Sequence, residues 1–302
     1  MKRYYSANDY MKEIFGEKVY KLALDGGMTC PNRDGKIGTG GCIFCSESGS
    51  GDFAAKRCES IAKQIDNAIA ILGKKGRGLK YIAYFQSYTN TYAEADYLEK
   101  LFLETVSDER IVALSVATRP DCLGDDVMAV LKKVREKKPL WVELGLQTAD
   151  EKIAEYIRRG YKNEVYEKAC EKLHKIGAVV ITHQIIGLPH ESTDGMVSTA
   201  RYIAKHSDGI KLQLLHVLKN TDLYHEYEKG NVPYLTLDEY IAILEKIIEA
   251  LPENTVIHRL TGDGAKKELV SPLWSADKKR VLNGINAAFE RDNIIQGKNF
   301  NI

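Results

Sequence analysis

The chain has 302 residues, a formal net charge of +1, 44% hydrophobic residues and 28% charged residues. These values exclude a disordered chain, and the near-zero charge leaves no footprint of a dedicated nucleic-acid or membrane-surface binder beyond a local patch. The length admits two small domains or one α/β barrel with extensions.

Met1 to Tyr20 is mixed charged and aromatic, with no apolar core of a secretory signal. No run approaches the ~18 apolar residues that span a bilayer. A cytoplasmic protein with reduced thiols and no membrane partner is expected. Strand-like runs follow at Val19–Leu24, Tyr81–Gln86, Ile111–Ala117, Leu140–Leu146, Val179–Ile186, Ile210–Val217 and Val256–Leu260. Helical patterns fall at Glu59–Leu72, Ala93–Val106, Asp125–Lys137, Asp150–Ile157, Glu164–Ile176, Ser192–His206, Thr236–Ala250 and Asp277–Asp292. Strand followed by helix, repeated about six times, predicts βα units around a parallel sheet. Short linkers favour one domain over two. Active sites of such folds sit at the carboxyl ends of the strands. The basic runs Lys74–Lys80 and Lys132–Lys138 precede strands, so both are expected on the opposite face as solvated helix ends.

Cys30, Cys42 and Cys45 lie in a glycine-rich loop after the first strand, Gly26 to Cys45. Two residues separate Cys42 from Cys45, a spacing that brings both sulfurs to one soft metal centre. Three thiolates leave one coordination position for something other than cysteine. A structural zinc site would need a fourth ligand, such as Cys58 or a histidine. The alternative is three buried cysteines without metal. Cys58, Cys122 and Cys170 read as structural.

The segments Cys30-Pro-Asn-Arg-Asp-Gly and Gly-Gly-Cys42-Ile-Phe-Cys45 resemble the cluster-binding loop of radical S-adenosylmethionine (radical SAM) enzymes. The first gap of eleven residues departs from the commonest spacing of three. It is similar to the Elongator protein 3-like group, and within it to a bacterial YhcC/YtqA-type branch. The resemblance runs from Asn8-Asp9-Tyr10 to Ser271-Pro-Leu-Trp274. It implies an α/β fold, a partial (β/α)6 TIM-type barrel with short terminal extensions. It also implies one radical SAM domain over 1–302, with a core of about 18–220 and a C-terminal extension of about 221–302. It further implies a [4Fe–4S] cluster on Cys30, Cys42 and Cys45 that binds SAM.

The strand ends supply the other candidates. Gln86 and Asn90, with Ser87 and Thr89, stand where many radical SAM proteins carry a Gly-Gly-Glu that this chain lacks; a plain polar loop is the alternative. Tyr88 is a candidate for facing substrate. Thr118-Arg-Pro-Asp121 looks like a run of the Elongator protein 3 group, and Arg119 is a candidate for the SAM carboxylate or for an ion pair with Asp121. On the fourth strand Trp141, Glu143, Gly145 and Gln147 share one parity and Val142, Leu144 and Leu146 the other, which turns the polar set inward. Glu143-Leu-Gly-Leu-Gln147 resembles a radical SAM strand close to SAM, though a barrel-interior network would use the same residues. Arg158-Arg-Gly-Tyr161 is similar to a family run that makes Arg159 a partner for the SAM carboxylate. Gly187-Leu-Pro189 matches a strand ending near adenine. His183 is a candidate for SAM ribose, for a proton shuttle, or for a satisfied core histidine. Lys211 and Gln213 share one parity of the sixth strand, with His216 on the other, and are candidates for contacting the adenosyl group of SAM or the substrate. Arg259 and Asp263, in His258-Arg-Leu-Thr-Gly-Asp-Gly264, are candidates near substrate.

The resemblance implies reductive cleavage of SAM to a 5′-deoxyadenosyl radical, with a reductant such as flavodoxin or ferredoxin. It points to tRNA as substrate, through trimming of a wobble-uridine carboxymethylaminomethyl group to aminomethyl. Arg119 or Arg259 would hold the carboxylate. A small-molecule or peptide substrate and a non-catalytic zinc scaffold are the alternatives.

Overall fold

The computed structural model describes residues 2–47, 49, 54–55, 57–73, 80–262, 264 and 266–300. Seven parallel strands form one curled sheet. In spatial order they are β1 (Tyr20–Leu24), β2 (Tyr81–Phe85), β3 (Ile111–Thr118), β4 (Leu140–Gln147), β5 (Val179–Ile186), β6 (Gly209–Leu214) and β8 (Val256–Arg259). The order follows the chain, as repeated right-handed βα crossovers require. The expected partial barrel is present, and β8 adds a seventh strand beside β6.

The crossovers are α2 (Ile61–Leu72), α3 (Ala95–Ser107), α4 (Asp125–Lys137), α5 (Glu151–Tyr156), α6 (Asn163–Lys175), α7 (Thr193–His206) and α9 (Leu237–Ala250). Their starts are chemically specified. Ser192 Oγ accepts from the Gly195 amide at 3.0 Å, and Thr236 with Glu239 forms a reciprocal capping box. Val142, Leu144 and Leu146 face these helices in the main core, as their shared parity predicts.

The expected sixth strand is interrupted. It stops at Leu214, and β7 (Val217–Leu218) pairs antiparallel with β9 (Leu269–Ser271). Between them the chain forms α8 (Asp222–Glu228), which carried no sequence expectation. A last helix, α10 (Lys278–Arg291), packs its Val281, Ile285 and Phe289 into the core.

The amino terminus holds a helix too, α1 (Ala7–Phe15). Its Tyr10, Met11 and Phe15 pack on Val19, Ile82, Ala113, Trp141 and Ile181, which occupy the starts of the strands. The rings of Tyr10 and Phe15 lie 5.9 and 6.5 Å from Trp141. This layer closes the barrel at the bottom, and the Ile257 amide donates to the Tyr5 carbonyl at 2.8 Å to seat α1 beside β8.

The run Lys132–Lys138 lies at the carboxyl end of α4, where Lys133 pairs with Glu99 at 2.7 Å and Lys138 donates to the Asp108 carbonyl at 2.8 Å. Residues 74–79 of the other basic run lie outside the described residues; Lys80 is exposed and pairs with Glu17 at 3.0 Å. No described helix is long and apolar enough to cross a membrane.

Candidate active site: a cysteine-lined cavity over a charged barrel floor

The loop after β1 is fixed by its own polar residues. The amides of Arg33 and Asp34 donate to the Cys30 carbonyl at 2.8 and 3.2 Å, and Cys45 closes a turn onto Cys42 at 3.0 Å. Arg33 Nη2 donates to the carbonyls of Cys45 and Ser46 at 2.8 and 2.6 Å, tying the first part of the loop to the last. Gly41 has φ +71°, and a Cβ there would stand 3.0 Å from Arg33 Nε, so the close approach requires glycine. Asn32 Nδ2 donates to the Arg158 carbonyl at 2.6 Å and lies 3.7 Å from Cys42 Sγ. The Ile43 carbonyl accepts from Leu223 of α8 at 2.9 Å. Asn32, Arg33 and α8 are the parts of this site that the sequence reading missed. The visible signal was a Pro-Asn-Arg-Asp run inside a cysteine loop.

Cys30, Cys42 and Cys45 all line one cavity of about 290 Å³ inside the barrel mouth. Burial pushes the Cys42 thiol up to about 12, and the neighbouring Cys45 and Cys30 add to this against the Arg119 guanidinium. A cationic centre bound there would hold the Cys42 sulfur deprotonated. Among the described residues no three His, Cys, Asp or Glu side chains converge as ligands of a single metal ion. Cys58 stands apart from the cavity lining and takes a 3.2 Å contact from Asn67 of α2. Among the described residues no fourth ligand joins the three cysteines. The donor set instead suits a polynuclear centre, whose irons take one thiolate each.

Below the loop the strands contribute one inward layer. Glu143 on β4 is fully buried. Its Oε1 accepts from Lys21 Nζ at 2.7 Å and Ser115 Oγ at 2.9 Å, and its Oε2 faces His183 Nε2 at 2.9 Å and Lys211 Nζ. Burial opposes ionisation, but Lys21, Lys211 and His183 together hold the carboxyl well below the usual range. Burial and Lys211 push His183 down to about 4, so its imidazole is neutral at pH 7 and donates from Nε2 to Glu143. Burial likewise pushes Lys211 down to about 7 against the attraction of Glu143. Lys211 Nζ also lies 3.2 Å from Tyr84 Oη.

The structure brings most of the sequence candidates to this cavity. Gln86, Tyr88, Arg119, Glu143, Gln147, Arg159, His183, Lys211, Gln213 and Arg259 all line it. Their roles differ. Tyr88, at φ +56°, bonds the Glu47 carbonyl through its hydroxyl and stacks beside Arg33, so it fastens the cysteine loop. Arg119 forms a two-pronged pair with Asp121 at 2.9 and 2.7 Å and lies 5.0 Å from the Tyr161 ring.

Arg159 departs from expectation. It is 1% exposed and donates to the carbonyls of Leu146, Thr148 and Tyr161 and to Asn163 Oδ1. These contacts use all five guanidinium protons, so none is left for a ligand carboxylate. Asn90 is a second departure. It is fully buried, donates to the Ala117 carbonyl at 2.9 Å and does not line the cavity. Asp263 lies outside the described residues. Its neighbours Gly262 and Gly264 line the cavity, and a Cβ on either would press on the His216 ring at 2.7 or 3.2 Å.

A curled parallel sheet with three cysteines in the loop after its first strand defines the radical SAM class of enzymes. The Radical SAM superfamily profile matches residues 34–203, and the Radical_SAM C-terminal domain profile matches 207–291. The chain belongs to the radical SAM superfamily, whose members use a [4Fe–4S] cluster and SAM, and within it to the YtqA/YhcC-like and Elp3-like group. It is 43% identical over 300 residues to YtqA of Bacillus subtilis (strain 168), covering 99% of this chain and 93% of that one. It is 26% identical over 165 residues to a tRNA uridine(34) acetyltransferase of Methanocaldococcus jannaschii, covering 53% of this chain and 30% of the relative. Archaeal Elp3 of Methanocaldococcus infernus, lacking its N-terminal segment, shares the fold with a TM-score of 0.68 at 18% identity. That match covers 92% of this chain, which spans 64% of the length of the Elp3 chain.

Proposed function

We propose that this radical SAM enzyme modifies tRNA, trimming the carboxymethylaminomethyl side chain of a wobble uridine to aminomethyl. The observation that carries the reading is the cavity itself: it is lined by three thiols, and its charged side chains are five cations and one carboxylate among the described residues, a balance that suits a carboxylate-bearing side chain. The likeness to a tRNA uridine(34) acetyltransferase supports tRNA as the substrate.

Cys30, Cys42 and Cys45 are the residues that would hold the cluster, with Asn32 beside Cys42 Sγ and Arg33 fixing the loop. Gln86, Gln147 and Gln213 line the wall between the cysteines and the charged layer, where they can meet the polar groups of SAM. When bound and reduced, the cluster with SAM supplies a 5′-deoxyadenosyl radical able to take a hydrogen atom from an unactivated carbon. The chain's own part is placement. The Glu143 network ties the floor strands together, and the Trp141 layer packs beneath it. Loss of a hydrogen atom from the carbon between nitrogen and carboxylate, and of one further electron to a one-electron acceptor, would give an imine; water added to it would release the two-carbon unit as glyoxylate and leave the aminomethyl group. Electrons come from a reductant such as flavodoxin or ferredoxin.

Incubation of the reduced, reconstituted protein with SAM and carboxymethylaminomethyluridine tRNA tests this. Appearance of aminomethyluridine is expected. Deoxyadenosine formation with an unchanged nucleoside, and no stimulation by tRNA, overturns it in favour of a small-molecule or peptide substrate.

A further inference from the structure

The rim of the barrel carries a second hollow that the cysteine loop does not use. Tyr224 and Tyr227 of α8, Val232, Pro233 and Tyr234 of the loop after it, and Val270 of β9 line an open groove of about 630 Å³. Tyr224, Tyr227 and Val270 are half-buried, packed on a cluster that includes Ile43, Val217 and Leu223. Tyr234 is 60% exposed. Rings that are anchored on a core and still open to a groove make a surface for a flat partner.

The groove shares a wall with the cysteine-lined cavity. β7 and β9 stand between the two: Leu218 of β7 lines the cavity, and Val270 of β9 lines the groove. Paired strands lie about 5 Å apart, so one extended chain can reach both hollows. The same strands carry cations at one edge. Lys219 follows β7, Lys266 and Lys267 precede β9, and all three are exposed. The Lys219 amide donates to the Glu268 carbonyl at 2.8 Å, which sets Lys219 beside the turn that holds the other two. Glu268 is the carboxylate of that turn. Around α8, Glu226 pairs with Lys229 at 2.8 Å and Asp222 with Arg158, while Glu228, which lines the groove, stands 3.6 Å from His225. Lysines beside exposed rings are the arrangement that binds single-stranded nucleic acid: the cations meet phosphates, and the rings stack on bases of any sequence. A proline-rich peptide also stacks on tyrosines. The lysine edge and the wall shared with the cavity favour the anionic chain.

We propose that the groove is a base-stacking subsite for single-stranded RNA, with Tyr234 and Tyr227 as platforms and Lys219 and Lys267 on the phosphates. The subsite rests on the tRNA reading and deepens it, because it takes the unpaired nucleotides beside the one that enters the cavity. It also gives this chain of near-zero net charge the local patch that RNA binding requires.

The test uses holoprotein with its cluster reconstituted and two labelled RNA probes, a hairpin with an unpaired loop and a fully paired duplex. Affinity is read from fluorescence anisotropy over a series of salt concentrations. The native protein should bind the loop more tightly than the duplex. Tyr234→Ala should weaken loop binding by about fivefold or more, the loss of one stacked base, and leave duplex binding unmoved. Tyr234→Phe, which keeps the ring, should retain the native affinity. Lys219→Ala combined with Lys267→Ala should lower the slope of log affinity against log salt by about 1. Loop binding by the native protein that neither Tyr234→Ala nor the double lysine variant changes overturns the subsite and leaves the tRNA reading standing. Binding of a proline-rich peptide, lost in Tyr234→Ala while RNA affinity is kept, gives the groove to a peptide and also overturns it. A native protein that binds neither RNA overturns subsite and tRNA reading together. Loop binding that depends on Tyr234 supports the subsite even where carboxymethylaminomethyluridine is left untrimmed, an outcome that counts against the reaction alone.

Discussion

Glu143 and Lys211 meet inside the barrel from strands that are not neighbours, β4 and β6, and His183 of the intervening β5 bonds the same carboxylate oxygen. One carboxylate thus ties three consecutive strands together from within, and Lys21 extends the tie to β1. The contacts stabilise the curl of the sheet that makes a cavity possible.

Glu143→Gln should be strongly destabilising, because it leaves buried Lys211 and half-buried Lys21 without their anion. Breaking one partner of a buried pair costs about 3–5 kcal/mol. The check is the chemical-denaturation midpoint of the apoprotein at pH 7. The carboxyl is held below its ordinary value when folded, so its stabilisation is present above the unfolded value. It is lost as pH falls through the folded one. The gap between native protein and variant should therefore narrow on acidification.

Glu191 gives the opposite pH signature. Its Oε1 accepts from Thr148 and Thr199 at 2.7 and 3.3 Å, and its Oε2 has no hydrogen-bond partner among the described residues. Burial pushes its carboxyl up to about 7. The folded protein then holds a proton that the unfolded chain releases near its ordinary value, so stability falls as pH rises from about 4.5 to 7. Glu191→Gln keeps both accepted hydrogen bonds and carries no charge. It should be more stable than the native protein at pH 8, by at most about 3 kcal/mol, and close to it at pH 5. Equal differences at both pH values would contradict the assignment.

Arg159→Lys separates a structural clamp from a ligand contact. Lysine offers three donors where five are used, so buried carbonyls after β4 lose their partners. A loss of about 2–4 kcal/mol is expected from several unsatisfied groups, with SAM affinity of the folded protein little changed. Denaturation and equilibrium SAM binding check the two halves.

Much of this was legible in the sequence because it repeats with a local period. Alternation along residues 141–147 turned Glu143 inward and Val142 outward, and both stand so. The seven strand-like runs became the seven strands of the sheet, and the cysteine loop fell on the face that such sheets use. What escaped depends on contacts between distant segments. The helix Ala7–Phe15 is short and mixed, and only the exposed strand starts under Trp141 make its aromatic face useful. Arg159 looked like a ligand residue because Arg158-Arg-Gly-Tyr161 is similar to a family run; its acceptors are mostly main-chain carbonyls, which leave no trace in side-chain identity. Asn90 likewise spends its amide on a carbonyl of β3.

Cys58→Ala tests the division of the cysteines. Cys58 contacts Asn67 away from the cavity, so the variant should retain full iron content after anaerobic reconstitution. Loss of metal in this variant would return Cys58 to the ligand set.

The central claim is that Cys30, Cys42 and Cys45 together hold a [4Fe–4S] cluster that cleaves SAM. Iron, sulfide and zinc analysis of anaerobically purified protein, with deoxyadenosine measured after reduction in the presence of SAM, tests it most directly. The native chain should be brown, carry about four irons and four sulfides, and yield deoxyadenosine. Cys42→Ala should lose both cluster and product. A colourless native protein with stoichiometric zinc, and no deoxyadenosine, would contradict the account.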